Sequence, residues 1–200
     1  MDYEEVIDAA VKELLVEAQK RFRNEHARLI GTAAYYAATA HKGQERKSGG
    51  PYALHVIRTA QILLSFADDR VDVAAVCAAL LHDTLEDTNL QTSQIDSRFG
   101  RDVTSLVHAL TKKKDPKLSK KEQDEAYFEQ LTRHTKSDPR IGLIKLADVY
   151  DNAQTIEVHS DARRKQRAKN LVDFYAPLAE RLEHEELAAE LRTIAAAQTT

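Results

Sequence analysis

Turn-forming residues are scarce in this chain: six glycines and four prolines among 200 residues, where roughly 12% is usual. Ten such residues cannot readily supply the reversals of a β-sandwich or barrel. Neither G-x-G-x-x-G nor G-x-x-x-x-G-K-[ST] occurs, which disfavours Rossmann and P-loop architectures. Cys77 is the single cysteine, so no intrachain disulfide can form, and its apolar surroundings read as core. No charge of one sign dominates either. A formal charge of −3 gives no global basic field, which argues against nucleic acid as a partner. The longest purely apolar run, Val73 to Leu81, has nine residues, about half a membrane span. The acidic start (Met1-Asp2-Tyr3-Glu4-Glu5) has no signal-peptide core. The expectation is a cytoplasmic protein with no membrane partner and an undetermined oligomeric state. What is abundant is alanine, 29 residues, in a chain that is 42% hydrophobic and 30% charged. That composition predicts an all-α fold over residues 1–200 as a single domain.

Apolar spacing predicts nine or ten helices. One covers about 3–23 (Val6, Ala9, Ala10, Leu14, Ala18) and a second about 26–41. Helices at about 53–67 and 71–86 follow, the latter almost wholly apolar and therefore expected at the centre of the fold. A short helix ends at Phe99-Gly100, and others are expected at about 101–111, 120–136, 139–157, 161–176 and 177–197. Asp138-Pro139 reads as N-cap and first turn. The stretch His41 to Pro51 holds three of the six glycines and one proline. Loops on rigid scaffolds carry function disproportionately, which singles this stretch out.

The strongest local signal is Leu80-Leu81-His82-Asp83-Thr84-Leu85-Glu86-Asp87-Thr88. A His-Asp pair emerging from an apolar helix is costly unless paired or metal-bound. His82 and Glu86 stand at i,i+4, as do Asp83 and Asp87, so a continuous helix would project all four toward one side. Three carboxylates so close repel one another unless a cation neutralises them. The alternative is an ordinary helix end becoming solvated. Two further polar residues at apolar-helix positions, His55 and Asp148, weigh against that alternative.

Four ordered motifs then carry a resemblance. They are His41-x-Gly43-Gln44-x-Arg46-Lys47-Ser48-Gly49-x-x-Tyr52-x-x-His55; Ala78-Ala79-Leu80-Leu81-His82-Asp83-x-x-Glu86-Asp87-Thr88; Arg98-Phe99-Gly100; and Lys145-Leu146-Ala147-Asp148-x-x-x-Asn152. Over about residues 30–182 the chain resembles the HD-superfamily hydrolase domain of RelA/SpoT proteins. It is most similar to stand-alone small alarmone hydrolases, the class that includes the metazoan SpoT homologue, with an extra N-terminal helix at about 3–23. The resemblance implies a divalent metal, Mn²⁺ foremost, held by His55, His82, Asp83 and Asp148; two nitrogens and two hard oxygens suit Mn²⁺ or Fe²⁺ without excluding Zn²⁺. It implies that Glu86 and Asp87 orient or deprotonate the attacking water. The implied reaction is hydrolysis of the 3′-diphosphate of ppGpp or pppGpp to GDP or GTP plus pyrophosphate, as in the stringent response. It also implies that Arg46 lies against the nucleobase, that Lys47 and Ser48 sit near base and phosphates, and that Asn152 and Thr155 contact the nucleoside.

The pattern departs from the family at two places in the last motif. Val149 and Asp151 stand where Arg and His are common, and Val56 stands where Pro is usual. Related readings are an adenosine-alarmone hydrolase, an NADPH 2′-phosphatase, or a non-catalytic nucleotide sensor. The six lysines between Lys112 and Lys121 are either a solvated loop or collectors of distal phosphates. His41 is expected to shape its loop. His26, His108, His134, His159 and His184 are expected at the surface or satisfied in the core.

Overall fold

The computed structural model describes residues 2–112 and 115–198; Lys113 and Lys114 of the lysine-rich stretch lie outside them. Among the described residues eleven α-helices run in the order α1 (Tyr3–Arg21), α2 (Asn24–Ala40), α3 (Ala53–Ser65), α4 (Val73–Leu81), α5 (Thr84–Asp87), α6 (Thr92–Leu110), α7 (Lys120–Ser137), α8 (Pro139–Ala153), α9 (Asp161–Asn170), α10 (Ala176–Arg181) and α11 (Glu185–Ala196). Among the described residues there is no strand, only one isolated bridge between Glu45 and Pro51. The all-α expectation holds.

The centre is α4. Every residue from Ala75 to Leu81 is buried, and α2, α3, α6 and α8 pack around it. A helix apolar on all sides has no other stable place. The N-terminal helix is part of this core. Ile7, Val11, Leu14 and Ala18 are buried where α1 packs on α2 and α3.

Four helix boundaries differ from the sequence expectation, each for a local reason. The expected helix 71–86 is interrupted at His82-Asp83. There the Ala79 carbonyl accepts from His82 Nδ1 (2.8 Å) and the Leu81 carbonyl from Thr84 Oγ1 (2.6 Å), side-chain bonds that compete with the helical ladder. The expected helix 139–157 stops at Ala153, and Thr155 (φ −126°) leads into a short 3₁₀ turn. Pro177 does not divide two helices. A π turn at Leu171–Tyr175 precedes it, widening the ladder where proline lacks an N–H and crowds the preceding turn. The true break comes at Glu183, with φ at 67°, between α10 and α11. By contrast, the separation at Gly100 survives as a kink inside α6 (φ 85°).

Asp138 caps α8 as expected, accepting from the Arg140 amide at 3.0 Å with Pro139 in the first turn. Arg140 then reaches Asp72 (2.7 Å), itself the α4 cap, and Asp102 on α6 (2.9 Å). One guanidinium thus ties α8 to α4 and α6.

Candidate metal centre and nucleotide cleft

Packing of α3 against α8, with the end of α4 between them, gathers four of the polar residues singled out from the sequence. His55 is on the first turn of α3, His82 caps α4, and Asp148 is on α8. His55 Nε2 lies 3.1 Å from Asp148 Oδ1 and 3.7 Å from Asp83 Oδ2. His82 Nε2 lies 3.0 Å from Asp83 Oδ2 and 3.6 Å from Asp148 Oδ1. Donor atoms of His55, His82 and Asp148 all fall within 4.8 Å of one another. Asp83 is outside that tight trio, and its Oδ2 accepts from the Tyr52 hydroxyl at 2.5 Å.

The ring nitrogens are assigned by their partners. His82 Nδ1 faces the Ala79 carbonyl and must donate to it; His55 Nδ1 donates to Asp151 Oδ2 at 2.7 Å. Both Nε2 atoms are thereby turned into the cluster, an arrangement that fixes tautomer and aim in metal sites. His82 Nε2 is buried and makes no hydrogen bond. An orphaned buried nitrogen facing carboxylates is what a cation-binding set requires, and these residues can hold a divalent metal.

The electrostatics agree. Burial alone would push the Asp148 carboxyl up, but the Lys145 ammonium and the neighbouring His55 and His82 imidazoles hold it well below the ordinary carboxylate range. Burial would lower His82, yet Asp83 and Asp148 raise it well above the usual imidazole value. The pocket's excess negative charge draws positive charge inward. Lys145 was not singled out from the sequence. Its Nζ donates to Asp148 Oδ2 at 2.7 Å and sits 5.4 Å from the Tyr127 ring centroid. Its position in the last quoted motif was the only signal for it.

A cavity of about 120 Å³ adjoins the cluster, lined by His82, Asp83, Glu86, Lys112, Lys145 and Asp148 among others. Glu86 Oε1 accepts from the Lys112 amide. Burial, reinforced by nearby Asp83, raises the Glu86 carboxyl above its ordinary value. Asp87 is exposed and is not among the cavity's lining residues. The interruption at His82-Asp83 is the reason: the helix that would have placed all four side chains on one face is not continuous.

A larger cleft of about 720 Å³ shares Lys145 and Asp148 with the small cavity. It runs between α7, α8 and α9, and its lining includes Lys120, Lys121, Asn152, Arg163 and Arg167. Five basic side chains against two acidic ones, Asp124 and Asp148, face this space. Arg163 and Arg167 had no motif to announce them. Lys120 and Lys121 belong to the lysine-rich stretch considered for phosphates. His159 also departs from expectation: its Nδ1 is buried without a hydrogen bond. Burial, with Arg167, Lys47, Arg163 and Arg46 nearby, lowers its proton affinity.

The Gly-rich stretch is a compact loop. The Gly49 amide donates to the Arg46 carbonyl (2.9 Å), and the Arg46 amide donates to the Gly50 carbonyl (3.0 Å). Gly49 and Gly50, at φ 90° and 79°, take a backbone that other residues rarely adopt. The loop clasps α8: Arg46 donates to Asp151 and, at 2.7 Å, to Asn152 Oδ1. Asn152 Nδ2 in turn donates to Asp148 Oδ1 at 2.6 Å. His41 shapes the loop as expected, buried with Nδ1 against Gln44 Oε1 at 2.9 Å. Gln44 Nε2 donates to the Asp87 carbonyl at 2.6 Å, joining loop and acidic turn. Lys47 and Ser48 are exposed on the loop. Thr155 is absent from the cleft lining, because α8 ends before it.

Comparison with known proteins gives this frame its relatives. The HD domain model matches residues 33–184. The chain belongs to the HD-domain family. It is 42% identical over 158 residues to the guanosine-3′,5′-bis(diphosphate) 3′-pyrophosphohydrolase of Aquifex aeolicus, covering 79% of this chain and 22% of that protein. It is 37% identical over 183 residues to the GTP pyrophosphokinase Rsh of Brucella melitensis, covering 90% of this chain and 24% of the relative. The chain therefore spans less than a quarter of the length of these curated relatives. Among solved structures it is similar to a metazoan orthologue of SpoT described as hydrolysing ppGpp. That match has a TM-score of 0.61 and 31% identity, and covers 85% of this chain and 93% of the other. The HD-domain match encloses the His55, His82, Asp83 and Asp148 cluster and begins after α1.

Proposed function

We propose that this HD-domain chain is a metal-dependent alarmone hydrolase, converting ppGpp or pppGpp into GDP or GTP and pyrophosphate. One observation carries the reading. The buried His55, His82 and Asp148, with half-buried Asp83 beside them, adjoin a small cavity lined by Glu86, and Asp148 also lines a cleft whose basic side chains outnumber its acidic ones, which suits a reacting phosphoryl group attached to a larger polyanion. The match along 93% of a solved protein described as hydrolysing ppGpp supports the same substrate class.

His55, His82, Asp83 and Asp148 would hold the metal; this mixed nitrogen and oxygen set suits Mn²⁺ or Fe²⁺ without excluding Zn²⁺, and the resemblance to RelA/SpoT hydrolases favours Mn²⁺. Such an ion, when bound, lowers the pKa of a coordinated water and offsets charge on phosphoryl oxygens. Glu86 is placed to take the proton of the attacking water, its carboxylate fixed by the Lys112 amide. Asp87 assists from the exposed end of the same turn. Water attacks the phosphorus next to the ribose 3′-oxygen, that P–O bond breaks, the 3′-oxygen takes a proton, and pyrophosphate leaves. Arg46, held edge-on by Asp151 and Asn152, presents a planar cation to the nucleobase. Lys47 and Ser48 approach base and phosphates from the loop, Asn152 approaches the nucleoside, and the cleft cations receive the remaining phosphates.

The test is a substrate panel. Purified protein with Mn²⁺ should release pyrophosphate from ppGpp, and EDTA should stop it. Absence of metal-dependent turnover with ppGpp, pppGpp, ppApp and NADPH alike would refute the enzymatic reading. A preference for ppApp or NADPH would refute the guanosine assignment alone.

A further inference from the structure

Asp151 stands where the sequence departs from the RelA/SpoT pattern, and it is one of the most heavily bonded side chains in the protein. Its carboxylate is 5% exposed. It accepts from His55 Nδ1 at 2.7 Å, from Arg58 Nε at 2.6 Å, and from Arg46. Two guanidinium groups and an imidazole N–H converge on it, so it serves as a charged acceptor. The counterpart for His82 is only the neutral Ala79 carbonyl. The two imidazoles are therefore oriented by unequal partners, and His55 has the stronger one.

The same side chain closes a ring of bonds. From His55 the path runs to Asp151, to Arg46, to Asn152, to Asp148, and back to His55 Nε2 at 3.1 Å. The geometry points to Asp151 as a positioning residue that joins metal binding to nucleotide binding. It aims His55 Nε2 at the metal site and holds the Arg46 guanidinium in the plane that receives the base. This rests on the metal and nucleotide roles proposed above, and it adds a coupling between them. In metal sites, loss of such an outer carboxylate typically weakens metal affinity or activity about 10–100-fold.

Calorimetric titration of Mn²⁺ into chelator-stripped protein tests it. Asp151→Asn, which is isosteric, should raise the Mn²⁺ dissociation constant about 10–100-fold. Arg46→Ala should leave that constant within about threefold of wild type, since Arg46 touches no ligand-set atom directly. At saturating Mn²⁺, both variants should raise KM for ppGpp, and the double variant should raise it no further than the larger single effect. A purely structural role would lower the melting temperature and leave Mn²⁺ affinity unchanged. A folded Asp151→Asn protein binding Mn²⁺ as wild type does would overturn the inference. Should that variant fail to fold, the Zn²⁺-loaded wild type decides: a downfield, slowly exchanging Nδ1 proton on His55 is expected, and its absence refutes the proposal. Wild-type protein that takes up no metal would instead remove the metal reading itself.

Discussion

Replacing Lys145 by Met is the most direct probe of the charge balance at the centre. The Met side chain can preserve most of the aliphatic stem beside Tyr127 while deleting the ammonium that lies 2.7 Å from Asp148 Oδ2. Removing one partner of a buried ion pair costs about 3–5 kcal/mol, because the other charge is left uncompensated. Asp148 is 6% exposed and Lys145 18%. Cleft water reaches the lysine in part, so the lower end, about 3 kcal/mol, applies. For a chain of this length that is a fall of roughly 6–12 °C in melting temperature for metal-free protein. Mn²⁺ at a hundred times its dissociation constant stabilises a native state by about 2.7 kcal/mol. In the variant the cation also takes over the neutralisation of Asp148, so at equal free Mn²⁺ the upward shift should exceed that of wild type. Thermal melts followed by circular dichroism, with chelator and with Mn²⁺, measure both quantities. A metal-free variant melting within about 2 °C of wild type would show that the pair contributes little. Equal Mn²⁺ shifts in the two proteins would show that Lys145 and the metal do not share Asp148.

Glu86→Ala should retain its Mn²⁺, measured by elemental analysis, while turnover falls about 10²–10⁴-fold; a fully active variant would remove Glu86 from proton transfer. Asp83→Ala should lose metal and turnover together. Asp138 is held below its ordinary carboxylate value chiefly by hydrogen bonds from Arg140, so its folded-state pKa lies under the unfolded one. Its stabilising contribution is present above about pH 3.9 and is lost as pH falls through the depressed value. Asp138→Asn still caps α8 and should flatten the acid limb of the stability curve; an unchanged slope between pH 5 and 2, bounds set at roughly the carboxylate range, would contradict this. Gly142→Ala gains about 1 kcal/mol of helix propensity, but its Cβ would meet Thr135 Cγ2 at 2.6 Å and Leu182 Cδ1 at 2.7 Å. Overpacking costs about 1–3 kcal/mol, so urea melts should show net destabilisation, relieved by adding Thr135→Ala.

Much of this was legible in the sequence because the signals were local. The nine-residue apolar run marked the buried centre, Asp138-Pro139 marked the start of α8, and His55 and Asp148 stood out as polar residues on apolar helices. What escaped were effects that depend on distant partners. Lys145 stood in a motif without a role, and its part shows only where Asp148 and Tyr127 meet it. Arg163 and Arg167 sit on α9, whose strongly polar sequence offers no periodic contrast to show which face meets the cleft. The lengths of the later helices also misled, since Pro177 is absorbed by a π turn rather than ending a helix.

The most instructive differences concern two aspartates. Helical spacing made Glu86 and Asp87 look equivalent, two carboxylates one residue apart on one continuous helix. The side-chain bonds of His82 and Thr84 interrupt that helix, so Glu86 enters the cavity while Asp87 remains exposed. The resemblance implies one role for both, whereas only Glu86 lines the cavity beside the cluster, which is why the proposal gives proton transfer to Glu86. Asp151 shows the converse. Set against the RelA/SpoT pattern, it removes a positive charge from the proposed nucleotide pocket. Placed in three dimensions it adds no free negative charge there, because His55, Arg46 and Arg58 surround it. Its charge is directed at the imidazole and at the guanidinium, so the substitution changes how the pocket is held more than what it attracts.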